Sequence, residues 1–324
     1  MIISGNSSIN KVYYSGYTIS KIYACGGSLV WSGGTGPTPP TGMKFNAVFQ
    51  DSSTYSAECD SSSVITKEDY ASHTSVPSSI TYVEIGDCVD TIGDSAFFDT
   101  MLTGFSLSNS VRTIESNSFA QCNYLTDVVL PSSITTIGTY GFYYCIRLSS
   151  INIPSGVTSI NDHTFRYCYK LSSCTIPNDS LLTNIGAGAF CECYNLENIN
   201  IPNSVRTFGA SAFTYCYNLT NINIPNGTTA IPDSFLNGCS GLTSITIPST
   251  VSDIGSSAFI NCKGLEYIEF KSQFAPALKS DGGATFRNTN NCPIYVPDAS
   301  VEEYKTATNW SYVAGRIKPI SEKP

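Results

Sequence analysis

At 324 residues, with 13% charged residues and a formal net charge of −8, the chain lacks the clustered Lys and Arg that neutralise nucleic-acid phosphates or anionic lipid headgroups. Its longest apolar runs are a few residues, too short for a transmembrane helix. Nucleic-acid binding and membrane insertion are therefore excluded, and the length suits two globular domains or one continuous repeat array.

The N-terminus, Met1-Ile-Ile-Ser-Gly-Asn-Ser-Ser-Ile-Asn10, has no basic start followed by a long apolar stretch. A secretory signal peptide is not visible, so cytoplasmic assembly is the expectation. Residues 1–32 hold two alternating β-type runs, Lys11-Val-Tyr-Tyr-Ser-Gly-Tyr and Lys21-Ile-Tyr-Ala-Cys25-Gly-Gly-Ser-Leu-Val-Trp31, and read as a small β-module. Gly33-Gly-Thr-Gly-Pro-Thr-Pro-Pro-Thr-Gly42 follows, a linker without apolar content. Residues 43–79 carry two strand-like pieces, around Phe45 to Phe49 and Tyr55 to Cys59, and are expected to cap the next region.

Residues 80–270 repeat. Cys122, Cys145, Cys168, Cys193, Cys216, Cys239 and Cys262 recur at intervals of 23, 23, 25, 23, 23 and 23 residues. The cleanest copy reads Phe213-x-x-Cys216-x-x-Leu219-x-x-Ile222-x-Ile224-Pro225, followed by a Val or Ile and then Ile-Gly before the next aromatic. A fixed period of this length is the signature of a solenoid. Its coils begin at Phe97, Phe119, Phe142, Phe165, Phe190, Phe213, Leu236 and Phe259. The Phe165 coil carries two extra residues around Asn178 to Leu182, which should bulge from one face.

Within each coil, Leu-x-x-Ile-x-Ile alternates with period two and predicts a short strand. The following proline ends it, because proline cannot donate to a continuing ladder. A second extended stretch is expected at Val157-Thr-Ser-Ile160 and its equivalents, and a tight helical or irregular return at the aromatic. Equivalent cysteines in stacked coils lie about one strand spacing apart, ~4.8 Å, with parallel side-chain vectors. A disulfide wants converging Cβ atoms about 3.8 Å apart, so the ladder reads as buried free thiols. Cys174 fits this view, because it takes the slot of Ile151, Ile199 and Ile222. Cys191-x-Cys193 and two His give no metal-ligand pattern, and neither a metal nor another cofactor is expected.

The joint recurrence of the Pro, the Ile-Gly, the Ala-Phe and the Cys over residues 80–270 resembles the BspA-type, or Treponema pallidum-type, leucine-rich repeats of bacterial and protist surface proteins. The pattern departs at Leu236, at Pro232 in place of the Gly, and in the copy at 97–119, which lacks the cysteine. The resemblance implies a right-handed solenoid of ~23-residue coils with short parallel strands, whose relatives mostly serve adhesion or recognition without catalysis. Residues 271–324 look like a C-terminal cap. A strand ends at Pro297, Ser300 is placed to cap a helix from Val301 to Thr306 with Glu302 and Glu303 in its first turn, and Tyr304 and Trp310 should cover the last core. The Lys21-Ile-Tyr…Gly-Gly-Ser-Leu-Val-Trp31-Ser segment is similar to β-modules that open phage and prophage tail or fibre proteins.

No Gly-x-Ser-x-Gly elbow and no phosphate-cradling Gly-rich loop is present, and neither His sits in a nucleophile pattern. His163 reads as a solvated turn residue. An enzyme is not expected, with a carbohydrate-active enzyme the only such class worth testing. Function then falls to surface. The outward strand positions are Asp127 and Val129, Ser150 and Asn152, Ser173 and Thr175, Asn198 and Asn200, Asn221 and Asn223, Ser244 and Thr246, Tyr267 and Glu269. A band of Tyr144, Tyr167, Tyr169, Tyr194, Tyr215 and Tyr217 lies beside the cysteines, and repetition at one slot predicts parallel rings. These tyrosines, with Asn152, Asn198, Asn200, Asn221 and Asn223, are the candidate binding residues for a host-surface protein or glycan. With no visible signal peptide, the expected setting is a phage virion appendage assembled in the host cytoplasm, the N-terminal module docking to other virion proteins. The alternative is a bacterial cell-surface adhesin. Homo-oligomer formation is left open.

Overall fold

The computed structural model describes residues 21–23, 29–32, 42–71 and 79–324, with backbone alone for the first two stretches. Each coil has three hydrogen-bonded sides. The first side is the predicted strand. Asp127–Val128, Ser150–Asn152, Ser173–Thr175, Asn198–Ile199 and Asn221–Ile222 form one parallel sheet, and Ser244–Ile247, Tyr267–Phe270, Ile294–Val296 and Ile317–Pro319 form another. The proline that ends the strand starts a turn: the Val157 N–H donates to the Pro154 carbonyl, and Val205 to Pro202, both at 3.1 Å. The second side is a two-residue strand such as Thr113–Ile114 or Ser159–Ile160, again paired in parallel with its equivalents.

The third side, expected to be irregular, is a regular ladder. Residues two before and two after the aromatic adopt left-handed conformations, as in Tyr140 (φ 59°) and Tyr144 (φ 58°), or Ser211 (φ 58°) and Tyr215 (φ 61°). This alternation turns every second amide towards the next coil. Tyr140, Phe142 and Tyr144 donate to the carbonyls of Asp162, Thr164 and Arg166 at 3.1, 2.9 and 2.8 Å. Each left-handed non-glycine residue costs roughly 1–2 kcal/mol, offset here by a hydrogen bond that ties two coils together. The Ile-Gly signal has a steric origin: a Cβ at Gly209 would lie 2.2 Å from the Ala187 amide nitrogen of the preceding coil.

Two stacks fill the interior. Tyr70, Phe97, Phe119, Phe142, Phe165, Phe190 and Phe213 lie ring upon ring at 5.3–5.7 Å, so the stack begins one place before Phe97. Leu236 breaks it, and Phe235, in the slot that Ala212 fills one coil earlier, packs edge-on against Phe213 at 5.5 Å. The second stack is the cysteine ladder, whose seven thiols are fully buried. Each thiol donates to the carbonyl of the aromatic-slot residue in the preceding coil at 3.1–3.2 Å, from Cys122 to Phe97 through Cys262 to Leu236. Burial pushes every one of these thiols above its ordinary range, Cys122 to about 12, which keeps them protonated as donors. A small buried S–H is thus what the slot needs. Cys174 pairs with Ile151 in the strand ladder, as expected.

Both ends of the array are covered. Met43–Phe49 pairs antiparallel with Ile80–Ile85, and Thr54–Glu58 lies outside it, closing the first edge. Val64–Ile65 already belongs to the second side, and the short helix Glu68–Ala71 supplies Tyr70. A disulfide joins Cys59 of this cap to Cys88 at the start of the repeat region, outside the ladder and not anticipated from the spacing. At the other end the helix is Val301–Thr306, as predicted, but the Ser300 side chain makes no capping hydrogen bond. Trp310 and Tyr304 are fully buried over the last core. One further strand, Ile317–Pro319, extends the ladder and ends it in proline. Glu269, expected to face outward, is buried there, because Lys323 reaches back to it at 2.6 Å and Lys271 pairs with it. Near the N-terminus, Lys21–Tyr23 pairs antiparallel with Leu29–Ser32. The first β-type run and most of the proposed linker lie outside the described residues.

Candidate binding face

The left-handed positions aim side chains away from the core. Tyrosines at these positions (Tyr144, Tyr167, Tyr215) and at the position four after the aromatic (Tyr169, Tyr194, Tyr217) give successive coils a run of ring contacts on one surface. Tyr169 and Tyr194 stack at 4.8 Å and 13°, and Tyr194 and Tyr217 at 5.0 Å and 24°, which is the parallel arrangement the repetition predicted. The row of Tyr144 and Tyr167 is different: these rings meet edge-on at 5.6 Å and 74°. Tyr215 is separated from Tyr167 in that row by Glu192, and its ring lies over Gly238, where a Cβ would come within 2.4 Å of it.

Two tyrosines missed by the sequence reading join the face. Tyr143 meets Tyr167 edge-on at 5.5 Å, and Tyr140 meets Tyr143 edge-on at 5.2 Å. Neither repeats in the neighbouring coils, so no periodic signal marked them. His163 is not a solvated turn residue. Its half-buried imidazole stacks on Tyr140 at 4.9 Å and occupies the space left by Gly188. Burial and then the Arg166 charge lower its pKa below the usual 6.5, so the ring is neutral near pH 7. Arg166 lies over the Tyr167 ring at 4.6 Å and donates to its hydroxyl at 2.8 Å. The Tyr194 hydroxyl donates to Glu192 at 2.6 Å. Burial, with Tyr144 next, pushes the Tyr169 phenol to about 12.

The asparagines divide by use. Asn152 holds both the N–H and the carbonyl of Leu130, at 2.9 and 3.0 Å, and Asn223 does the same to Ile201, at 2.8 and 2.7 Å. Their amides continue the ladder where the strands stop. Asn198, Asn200 and Asn221 remain exposed on the sheet, Asn200 donating to Asn178 at 2.7 Å. The extra residues of the Phe165 coil place Leu181 in solvent.

The family model of BspA type leucine rich repeat regions matches residues 72–181 and 158–292, with six copies. Among solved structures, a leucine-rich repeat protein from Bacteroides ovatus is 24% identical, with 78% of this chain and 68% of that chain covered and a TM-score of 0.54. A leucine rich repeat protein from T. pallidum is 27% identical over 57% of this chain and 83% of that one, with a TM-score of 0.44. A leucine rich cell surface protein from Faecalibacterium prausnitzii is 21% identical over 83% and 88%, with a TM-score of 0.37. The Bacteroides protein shares the fold. No curated protein matches the chain.

Proposed function

The chain belongs to the BspA-type leucine-rich repeat family, and on that premise we propose that it is a non-catalytic recognition module held outside a bacterial cell, with the tyrosine face as its contact surface. The observation that carries this reading is the division of aromatic labour. The phenylalanines of the aromatic slot are fully buried, whereas tyrosines from Tyr140 to Tyr217 lie half-buried or exposed over four coils outside the core. A partly exposed tyrosine surface is not needed to close the core, and tyrosine combines a flat apolar body with a hydroxyl, the combination enriched where proteins meet partners. Solenoids of this family are typically binding modules, which favours recognition over catalysis.

A cell-surface adhesin fits better than a virion appendage. The virion reading rests on residues 1–32, most of them outside the described residues, and on the lack of a visible signal peptide. Against it stands the Cys59–Cys88 disulfide, because such bonds persist in oxidising surroundings and are rare in a reducing cytoplasm where virions assemble. Antibody raised against the full chain should label intact cells of the producing strain and leave purified phage particles from that strain unlabelled. Label recovered with the particles, and absent from intact cells, would restore the virion assignment.

A further inference from the structure

We infer that Asn226 is a site of spontaneous covalent modification, its side-chain amide converting to aspartate and isoaspartate through a cyclic imide with the Arg206 guanidinium assisting. Asparagine is a thermolabile residue, and the reaction needs the backbone nitrogen of the following residue to reach its side-chain carbonyl carbon. Glycine in that following position leaves the approach open, because it has no Cβ. The chain holds two such pairs, Asn226-Gly227 and Asn237-Gly238, and the fold treats them oppositely. Asn226 and Gly227 are the central residues of a turn in which the Thr228 N–H donates to the Pro225 carbonyl at 3.0 Å. Asn226 is exposed, and among the described residues its side-chain amide has no hydrogen-bond partner and the Gly227 N–H donates to no acceptor. The attacking nitrogen and the group it attacks are therefore both unengaged. At Asn237 the same backbone atoms are in use. The Gly238 N–H donates to the Ile260 carbonyl at 2.8 Å in the third ladder, and the Asn237 carbonyl accepts from the Tyr215 N–H at 2.7 Å. Gly238 is also buried against the Tyr215 ring. Attack there must first break a ladder bond.

A second feature singles out Asn226-Gly227. The Arg206 side chain of the preceding coil folds over this peptide, so that a Cβ at Gly227 would lie 2.7 Å from its Cδ, Nε and Nη1 atoms. Arg206 is held there by Nη1, which donates to the Asn203 and Val205 carbonyls at 2.6 and 3.1 Å. A neighbouring positive charge favours the anionic form of a group. Here it favours the deprotonated Gly227 nitrogen and the oxyanion formed when that nitrogen adds to the Asn226 side-chain carbonyl carbon. The new C–N bond forms, the bond to the amide nitrogen breaks, and ammonia leaves with the proton, giving the imide. Water then opens the imide at one of its two carbonyls. Opening at the side-chain carbonyl gives aspartate, and opening at the main-chain carbonyl gives isoaspartate. Nothing is oxidised or reduced: a water is consumed, ammonia is released and the chain gains a negative charge. Aspartate places that charge beside Arg206, whereas isoaspartate lengthens the backbone inside the turn, where the Thr250 hydroxyl of the next coil donates to the Asn226 carbonyl at 2.8 Å.

The test is peptide mapping by mass spectrometry of the full chain after prolonged incubation at neutral and at mildly alkaline pH, folded and in guanidinium chloride. In the folded chain Asn226 should convert to a mixture of aspartate and isoaspartate at least about tenfold faster than Asn237, whose ladder bond must open first. Conversion should be faster at the higher pH, where the nitrogen loses its proton more readily. In guanidinium chloride the two pairs should convert at similar rates, because the fold no longer separates them. R206Q should slow conversion of Asn226 about two- to fivefold, the worth of an exposed charge contact, while melting as the wild type does. Equal rates at Asn226 and Asn237 in the folded chain overturn the inference. So does an unmodified Asn226 over a period in which the denatured chain converts. Conversion of R206Q at the wild-type rate overturns the part assigned to Arg206.

Discussion

Phe190→Ala should destabilise the chain by roughly 3–5 kcal/mol, the range for emptying a buried aromatic site. Phe190 is fully buried and stacked on Phe165 at 5.4 Å and on Phe213 at 5.3 Å, so its loss opens a cavity between two coils that cannot close without shortening the array. In a solenoid each coil touches only its neighbours, and a weakened interface also threatens cooperativity between the halves on either side. Tyr194→Ala is the matched comparison. It removes two ring stacks as well, but on the surface, and should cost nearer 1 kcal/mol. Denaturant unfolding of the two variants measures the difference directly, and equal losses would show that the interior has been assigned to the wrong ring.

Trp310→Ala should produce a loss of similar size, ~3–5 kcal/mol, but localised at one end. The indole lies edge-on to Phe270 at 5.2 Å and to Tyr304 at 5.1 Å, and its N–H donates to the Pro276 carbonyl at 2.8 Å. Removing it uncovers the last coil and leaves that carbonyl without its partner. Hydrogen exchange should accelerate in the amides from about residue 259 onward while those around Phe142 keep their protection, because opening propagates from an uncapped end. Uniform loss of protection along the chain would contradict the end-cap role.

The central coils were legible because their information is periodic. The strand, its terminating proline, the thiol slot and the Phe interior repeat often enough that each copy supports the others, and Cys174 could be placed by its equivalents. Features outside the period were not legible. The Cys59–Cys88 pairing joins the N-terminal cap to the start of the repeat region, and pairing cannot be deduced from sequence alone. Glu269 reads as an outward strand residue until Lys323, 54 positions later, folds back over it. The third ladder was hidden because its left-handed positions tolerate Ser, Tyr, His and Asn alike, so no residue type announces it. For the same reason Tyr140, Tyr143 and the stacking role of His163 escaped notice. Asn152 and Asn223 alternate outward as expected, but the adjacent coil uses both ends of their amides, which the alternation does not signal.

The scaffold and the contact face can be separated by substitution. The most direct measurement compares the full wild-type chain with Y169S/Y194S/Y217S, side by side, on an array of glycans and extracellular glycoproteins, with a melting curve for each. The wild type should bind at least one array member, and the triple variant should lose that binding by at least about tenfold while remaining a folded solenoid with an intact Phe stack. A variant that folds and binds every member as the wild type does would contradict the assignment of the tyrosine face as the site of recognition.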